Sequence, residues 1–255
     1  TGGGGYLRDI DPLFARNIPA WKRCMDISGA LLGLLLASPF FVLVPLLVRL
    51  VSPGPGFYRQ ERVGRGGRLF NFLKFRTMHH ENNAGLHRAY LGQLIRSDRP
   101  MVKLDEGGDR RIVPLGKLIR KACIDELPQL INVLKGEMSL VGPRPCLPYE
   151  AAEYLKWHAY RFDINPGITG LWQVSGKNRL TFREMISLDI QYAKRMSPWL
   201  DLWILAKTVP SIILMLMERP RPAAGTDSPA VETENRPVER PVETDIPRHK
   251  QEVYS

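Results

Sequence analysis

ISGALLGLLLASPFFVLVPLLVRLV, residues 27–51, runs for 25 residues with Arg49 as its one charge, and its reading decides the fold. As a straight helix it is about 37 Å long, enough for a hydrocarbon core of about 30 Å. A single crossing is therefore the plainest interpretation. The run is too long for a secretory signal, and a body follows it without a cleavage site. Ser38-Pro39 near the middle, with Pro45 beyond it, argues against a straight rod. Pro39 offers no N–H to the carbonyl of Leu35 and its ring crowds that oxygen, so a bend is expected. The Ser38 hydroxyl can satisfy the freed carbonyl, which makes the bend tolerable in lipid. Each half reaches only about 16–18 Å, too short to cross alone. Lys22 and Arg23 precede the run, and Arg49, Arg59, Arg62, Arg65 and Arg68 close or follow it. Basic residues gather on the cytoplasmic side of membrane segments, and here both flanks are basic. A re-entrant helix–break–helix over residues 27–51, with Trp21 at the interface, accounts for both observations.

The second apolar stretch, residues 199–217, contains Asp201, Lys207 and Pro210. These interruptions suit an amphipathic helix lying among headgroups, with Trp199 and Trp203 at the interface, or a buried core helix. From residue 219 onward Pro, Glu, Thr and Arg dominate, which predicts a disordered tail over 219–255. Residues 1–20 form a leader, with Thr1–Gly5 resembling a cloning scar. The tail holds 6 of the 36 Lys/Arg and 7 of the 26 Asp/Glu. The first 218 residues thus carry a net +11, which calls for an anionic partner. No helix-turn-helix, zinc-finger spacing or aromatic RNA-binding signature is present, which argues against nucleic acid. The basic residues flank an apolar segment instead, which favours acidic lipid or a phosphorylated substrate. Cys24, Cys123 and Cys146 show no paired spacing, so packing roles in a reducing compartment are expected.

After the membrane segment, residues 56–60 and 69–78 flank a glycine-rich turn and predict a β-hairpin. No Gly-Lys-Ser/Thr follows, so the glycines are turn residues rather than a phosphate loop. By period two, Phe70, Phe72, Lys74, Arg76 and Met78 share one strand face. Cations at Lys74 and Arg76 beside aromatics can clamp a diphosphate, or simply guard a sheet edge. His79 and His80 diverge on helix or strand and have no third His at ligand spacing, which disfavours a metal there.

Residues 115–123 form a short basic helix. Pro128 is costly in a helix interior but tolerated in a first turn, so Asp125 is expected as the N-cap of a helix over 126–135, with Gly136 near its end. In isolation Asp125 merely caps and Glu126 merely decorates the first turn. A helix start beside Arg120 and Lys121, however, attracts phosphate and keeps a carboxylate ionised. An ionised Asp facing a neutralised phosphate is a competent nucleophile, and Glu126 can position an ion or take a proton. Further on, prolines on both sides hold Arg144 extended, suited to bidentate phosphate contact or left as a solvated loop residue.

Five stretches carry a resemblance: Lys74-Phe75-Arg76-Thr77-Met78; Asp125-Glu126-Leu127-Pro128-Gln129-Leu130; Ser139-Leu140-Val141-Gly142-Pro143-Arg144-Pro145; Asn165-Pro166-Gly167-Ile168-Thr169-Gly170-Leu171-Trp172-Gln173-Val174-Ser175-Gly176; and Asp189-Ile190-Gln191-Tyr192. Over about residues 21–217 the chain resembles the bacterial sugar transferase family, the monotopic polyprenyl-phosphate phosphoglycosyl transferases. The resemblance implies a mainly helical α+β monotopic membrane protein, with a re-entrant helix broken at Ser38-Pro39, interfacial amphipathic helices and a small β-hairpin. The catalytic domain would be residues 21–218. It implies an Asp125-Glu126 dyad, magnesium held at Asp125, and phosphate or substrate binding by Lys74, Arg76, Arg120 and Arg144. The implied reaction has two steps: Asp125 takes the phosphosugar from a UDP-sugar with release of UMP, and polyprenyl (undecaprenyl) phosphate then takes it from the enzyme. This is the first membrane step of polysaccharide and glycoconjugate biosynthesis, at the cytoplasmic face of the bacterial inner membrane. Partners are then the UDP-sugar, the polyprenyl phosphate and membrane lipids, with a homo-oligomer left open. Larger family members carry extra membrane helices and a regulatory domain, so this chain is expected to be a small form or an excised part. The competing expectations are a non-catalytic membrane-surface adaptor and a multi-span enzyme without a covalent step.

Overall fold

The computed structural model describes residues 15–78, 112–113, 115–176 and 179–217. Residues 1–14 of the leader, His79 with His80, and the 219–255 tail lie outside them. The described part is mostly helical with two small sheets. In chain order it contains α1 (Ala20–Val51), β1 (Phe57–Val63), β2 (Leu69–Phe75), α2 (Gly116–Lys121), a 3-10 turn (Ile124–Glu126), α3 (Gln129–Lys135) and β3 (Ser139–Val141). Then follow α4 (Pro148–Ala151), a longer 3-10 segment (Lys156–Asp163), β4 (Gly167–Thr169), α5 (Leu171–Val174), α6 (Phe182–Arg195) and α7 (Pro198–Met217).

Two helices, α1 and α7, are long and apolar enough to cross a membrane. The helix α1 begins at Ala20, ahead of the apolar run, and continues without interruption through Pro39 and Pro45. The helical segment thus runs through the Ser38-Pro39 position at which the sequence leads one to expect a bend. Its physical reason is local: Ser38 Oγ donates to the Leu35 carbonyl at 2.8 Å, the acceptor that an amide at position 39 would have served. One stripe of α1 is buried along its length, at Lys22, Asp26, Ala30, Ala37, Val44 and Val48. Ala30 packs with Phe70, Phe72, Leu130 and Val133, and Val44 and Val48 pack with Phe75 and Ile119. The opposite face exposes Leu31, Leu32, Leu35, Leu36, Val42 and Leu50, with Leu35 at 71%. Such a continuous exposed apolar face marks a lipid or partner surface.

The basic collar expected before the apolar run is corrected by the structure, which places it inside α1. Lys22 is buried and its ammonium donates to Asp201 (2.5 Å), the Val141 carbonyl (2.9 Å) and the Tyr192 hydroxyl (3.1 Å). Arg23 donates to the carbonyls of Val133 and Leu134 at 2.6 Å, covering the end of α3. Both cations are engaged inside the fold because orphan carbonyls and a buried carboxylate need them more than headgroups do. Around Lys22 the network closes: Tyr192 donates to Asp201 at 2.6 Å, and Asp26 accepts from Ser139 Oγ (2.8 Å) and the Leu140 amide (2.9 Å). This polar pin joins the starts of α1 and α7 to β3 and α6.

In α7, Asp201 and Ile204 are buried while Trp199 is 81% exposed and Leu202, Trp203, Val209, Ile213 and Leu214 are also exposed. The buried-core alternative for this stretch is therefore excluded. Preceding it, α6 is amphipathic. Thr181 and Glu184 form a capping box, and Phe182, Met185, Ile186, Asp189, Tyr192 and Ala193 face inward at helical spacing.

The predicted hairpin is present, β1 pairing antiparallel with β2 from Phe57 opposite Phe75 to Val63 opposite Leu69. The second sheet pairs β3 with β4 in parallel. There Gly142 and Gly167 approach so closely that a Cβ on Gly167 would collide with the Gly142 amide. Only glycine fits such a backbone approach. Of the cysteines Cys146 alone is buried, and Cys24 is exposed, so a packing role holds for the former and fails for the latter.

Candidate active site

The Asp-Glu pair sits on the 3-10 turn Ile124–Glu126 between α2 and α3. The turn is entered through Cys123, held in the left-handed region at φ 55°. A non-glycine residue there stores strain of a kind that gathers at functional sites. The expected N-cap geometry is not observed. The helix begins at Gln129 with Pro128 before it, and Asp125 accepts no backbone amide among the described residues. With Pro128 lacking an N–H, the chain tightens into a 3-10 turn rather than entering the helix at residue 126. Gly136 does end α3, at φ 82°.

Asp125 is 6% exposed. Its countercharge comes from the neighbouring strand: Lys74 Nζ lies 3.6 Å from its Oδ2 and 3.0 Å from Glu126 Oε1. Burial pushes the Asp125 carboxyl above the usual carboxylate range. Lys74 and Arg120 pull it back, and Glu126 pushes it further up. The helix start expected to hold the carboxylate is absent, and the nearest cation is the Lys74 ammonium on β2, which only partly offsets the effect of burial. The outcome is a desolvated carboxyl group 3.6 Å from a lysine ammonium.

Lys74 itself is placed by Asn132 of α3, a residue the sequence reading passed over. Fully buried, Asn132 accepts from the Leu73 amide at 3.1 Å and donates to the Asn71 carbonyl at 2.7 Å and Glu137 at 2.6 Å. An amide side chain thereby substitutes for a missing strand along the edge of β2 and fixes the register just before Lys74.

Arg76 does not join the dyad. It lies beyond β2, and its guanidinium donates to the carbonyls of Ser52 (2.5 Å) and Pro53 (2.7 Å) past the end of α1. The period-two face ends before it because β2 stops at Phe75, itself buried against Val44 and Val48.

A second cation takes the expected place of Arg76. The ring of Phe72 has Lys74 Nζ at 5.4 Å and the Arg62 guanidinium at 5.3 Å, so both charges share one aromatic plate. Arg62 is lowered from its ordinary value first by burial and then by Arg144, which places two guanidinium groups in mutual electrostatic range. Glu150 offsets part of that repulsion, and the Arg62 guanidinium donates to Gln60 Oε1 at 2.8 Å. The Pro143-Arg144-Pro145 loop is held by its backbone: Arg161 donates to the Arg144 carbonyl at 2.7 Å and Arg62 to the Pro145 carbonyl at 3.2 Å. Arg161 is fixed in turn by Asp189 at 2.6 Å and Tyr154 at 2.7 Å. The Arg144 side chain has no hydrogen-bond or ion-pair partner among the described residues. Arg161 and Asn132 gave no sequence signal, since a buried cation and a buried amide look like surface residues until their partners are known.

Fold and site together define a protein with two apolar outer helices and a buried Asp125 carboxyl group, with the partly exposed Glu126 beside it, facing a lysine near a rigid arginine loop. The sequence model described as Bacterial sugar transferase matches residues 18–215, and the chain belongs to that family of transferases. It is 42% identical over 200 residues to "Galactosyl transferase CpsE" of Streptococcus agalactiae, covering 76% of this chain and 42% of that protein. It is 40% identical over 215 residues to "UDP-glucose:undecaprenyl-phosphate glucose-1-phosphate transferase" of Caulobacter vibrioides, covering 81% of this chain and 75% of that protein. It is 38% identical over 198 residues to "Exopolysaccharide production protein ExoY" of Rhizobium meliloti, covering 76% and 85%. The chain thus spans less than half the length of the first of these and most of the other two.

Proposed function

We propose that this protein transfers a sugar-1-phosphate from a UDP-sugar to polyprenyl phosphate through a phosphosugar bound to Asp125. The observation that carries the reading is the buried Asp125 carboxylate facing Lys74, in a chain whose relatives are named for transfer to undecaprenyl phosphate. In the first step an Asp125 oxygen forms a bond to the sugar-bearing phosphorus. The bond from that phosphorus to the bridging oxygen breaks, and UMP leaves. In the second, a phosphate oxygen of the acceptor forms its bond to the same phosphorus and the Asp125–phosphorus bond breaks, restoring the carboxylate. Lys74 lowers the charge repulsion between carboxylate and diphosphate. Arg62 and Arg144 hold the remaining phosphate oxygens.

Magnesium belongs to this reading. Among the described residues no group of three or more His, Cys, Asp or Glu gathers at one place. Two adjacent carboxylates, Asp125 and Glu126, match the sparse oxygen set that this ion takes when substrate phosphates and water complete its shell. It would supply neutralisation of the diphosphate.

The anchoring we propose is re-entrant, at the cytoplasmic face of the inner membrane. Both halves of α1 pack on the same charged body, at Ala30 and again at Val44 and Val48, and the polar pin ties the start of α7 to that of α1. A helix that packs one stripe along its length on a single body is supported against that body, which favours lying at the surface over crossing the bilayer.

The test is mass spectrometry of enzyme quenched with donor alone, across a panel of UDP-sugars with magnesium, alongside measurement of UMP release. A phosphosugar adduct on Asp125 is expected with the cognate donor. Normal turnover with no adduct at any time would overturn the covalent route.

A further inference from the structure

A cleft of about 360 Å³ lies between α1, the turn that carries the dyad, and α7. Its walls are apolar: Phe40 from α1, Leu127 and Leu130 beside the dyad, Ile168 and Val174 from β4 and α5, and Ile212 from α7. Glu126 is part of the same lining. Most of the polar groups in it already serve one another. The hydroxyls of Thr169 and Thr208 are 2.8 Å apart, Thr208 also donates to the Ile204 carbonyl, and Ser211 donates to the Lys207 carbonyl at 2.8 Å. Gln173 Oε1 departs from this pattern, being buried without a donor. A lining whose hydroxyls are internally satisfied has little to offer a sugar or nucleotide, and it loses little by meeting hydrocarbon.

The two helices that frame the cleft are the ones with exposed apolar faces: Leu35, Leu36 and Val42 on α1, and Val209, Ile213 and Leu214 on α7. A ligand with an apolar body resting in lipid and a phosphate presented to the dyad fits that placement. Of the two substrates in the reaction proposed above, on which this inference rests, the acceptor alone has that form. We propose that the cleft receives the phosphate-proximal isoprene units of the polyprenyl acceptor, delivering its phosphate to the turn at Glu126. A volume of about 360 Å³ is far too small for a whole polyprenyl chain, so the distal units stay in the bilayer. Donor and acceptor then approach from different sides, the nucleotide from the Lys74, Arg62 and Arg144 side and the lipid between α1 and α7.

Cys123 lines the cleft and gives a direct reporter. In a Cys24→Ser enzyme held in lipid nanodiscs, Cys146 is silent because burial pushes its thiol up to about 12. Undecaprenyl phosphate is expected to slow maleimide labelling of Cys123, whereas inorganic phosphate and UMP leave the rate unchanged. As a second measurement, Ile212→Trp fills the cleft. It should raise the acceptor KM by about tenfold, a change of about 1.4 kcal/mol, while the burst of UMP released from donor alone keeps its amplitude. That burst also reports that the variant is folded. Labelling indifferent to undecaprenyl phosphate, together with an unchanged acceptor KM, would overturn the proposal. Labelling is read without turnover, so it separates the two claims: protection with no burst from any UDP-sugar would sink the two-step transfer and leave the cleft standing as a lipid-phosphate site.

Discussion

Two clusters of charge differ in burial: Lys22, Asp26 and Asp201 are almost fully enclosed, whereas Lys74 and Glu126 keep side-chain exposures of 27% and 33%. Around Lys22 the ammonium has three partners, Asp201 takes one from Lys22 and one from Tyr192, and Asp26 is bonded by Ser139 and Leu140. Around Asp125 one partly exposed lysine serves two carboxylates, 3.6 Å from Asp125 and 3.0 Å from Glu126. The first cluster is closed and its worth is structural. In the second, burial and Glu126 push the Asp125 carboxyl up while Lys74 and Arg120 pull it back.

The sharpest way to break the comparison is to neutralise one member of each cluster. Asp125→Asn should lower transfer by about 10³-fold or more, with UMP release as the readout, while thermal stability stays level or rises because a desolvated carboxylate is gone. Lys22→Ala should do the reverse. It leaves Asp201 buried without its cation and costs about 3–5 kcal/mol of stability, measured by thermal unfolding in nanodiscs. The burst per folded molecule should be unchanged. If both variants lose activity and stability alike, the division between the clusters is wrong.

A smaller effect sharpens the picture of how the second cluster is held. Asn132→Ala leaves the Leu73 amide and the Asn71 carbonyl without their partner, at about 1–3 kcal/mol. It should also reduce the donor burst rate more than the donor KM, since Lys74 loses its register against Asp125. A variant that melts earlier but bursts at the normal rate would show that Asn132 supports the fold alone.

The mildest prediction concerns pH. In the proposed reaction the attacking form of Asp125 is the ionised one, and burial raises its pKa above the ordinary 3.8. The burst rate should therefore fall on acidification with a midpoint above the ordinary carboxylate value. Lys74 opposes that rise, so Lys74→Ala should move the midpoint further up. A midpoint that stays put or drops would remove Lys74 from the role given to it here.

Period and spacing made the hairpin, the helix over much of residues 27–51 and the end of α3 at Gly136 legible. Each depends on neighbours in sequence: strand alternation, apolar continuity, and a glycine free to adopt positive φ. The dyad could be picked out, but its environment was misjudged. A helix N-terminus was expected to hold Asp125 ionised, whereas Lys74, separated by 51 positions, provides the cation. Arg76 and the Lys22-Arg23 pair were assigned by proximity in sequence to phosphate and headgroup; the fold gives all three to carbonyl or carboxylate groups brought in from elsewhere.

By itself, then, the sequence determined what short-range physics controls: which segments are apolar, where prolines and glycines redirect the backbone, and that an Asp-Glu pair lies among basic residues. Only the tertiary structure decided which charges face each other, because a charge is satisfied by whatever group is close in space. It joined Asn132 to the edge of β2, Arg161 to the loop around Arg144, and Lys22 to Asp201, across separations at which chain order carries no information about distance.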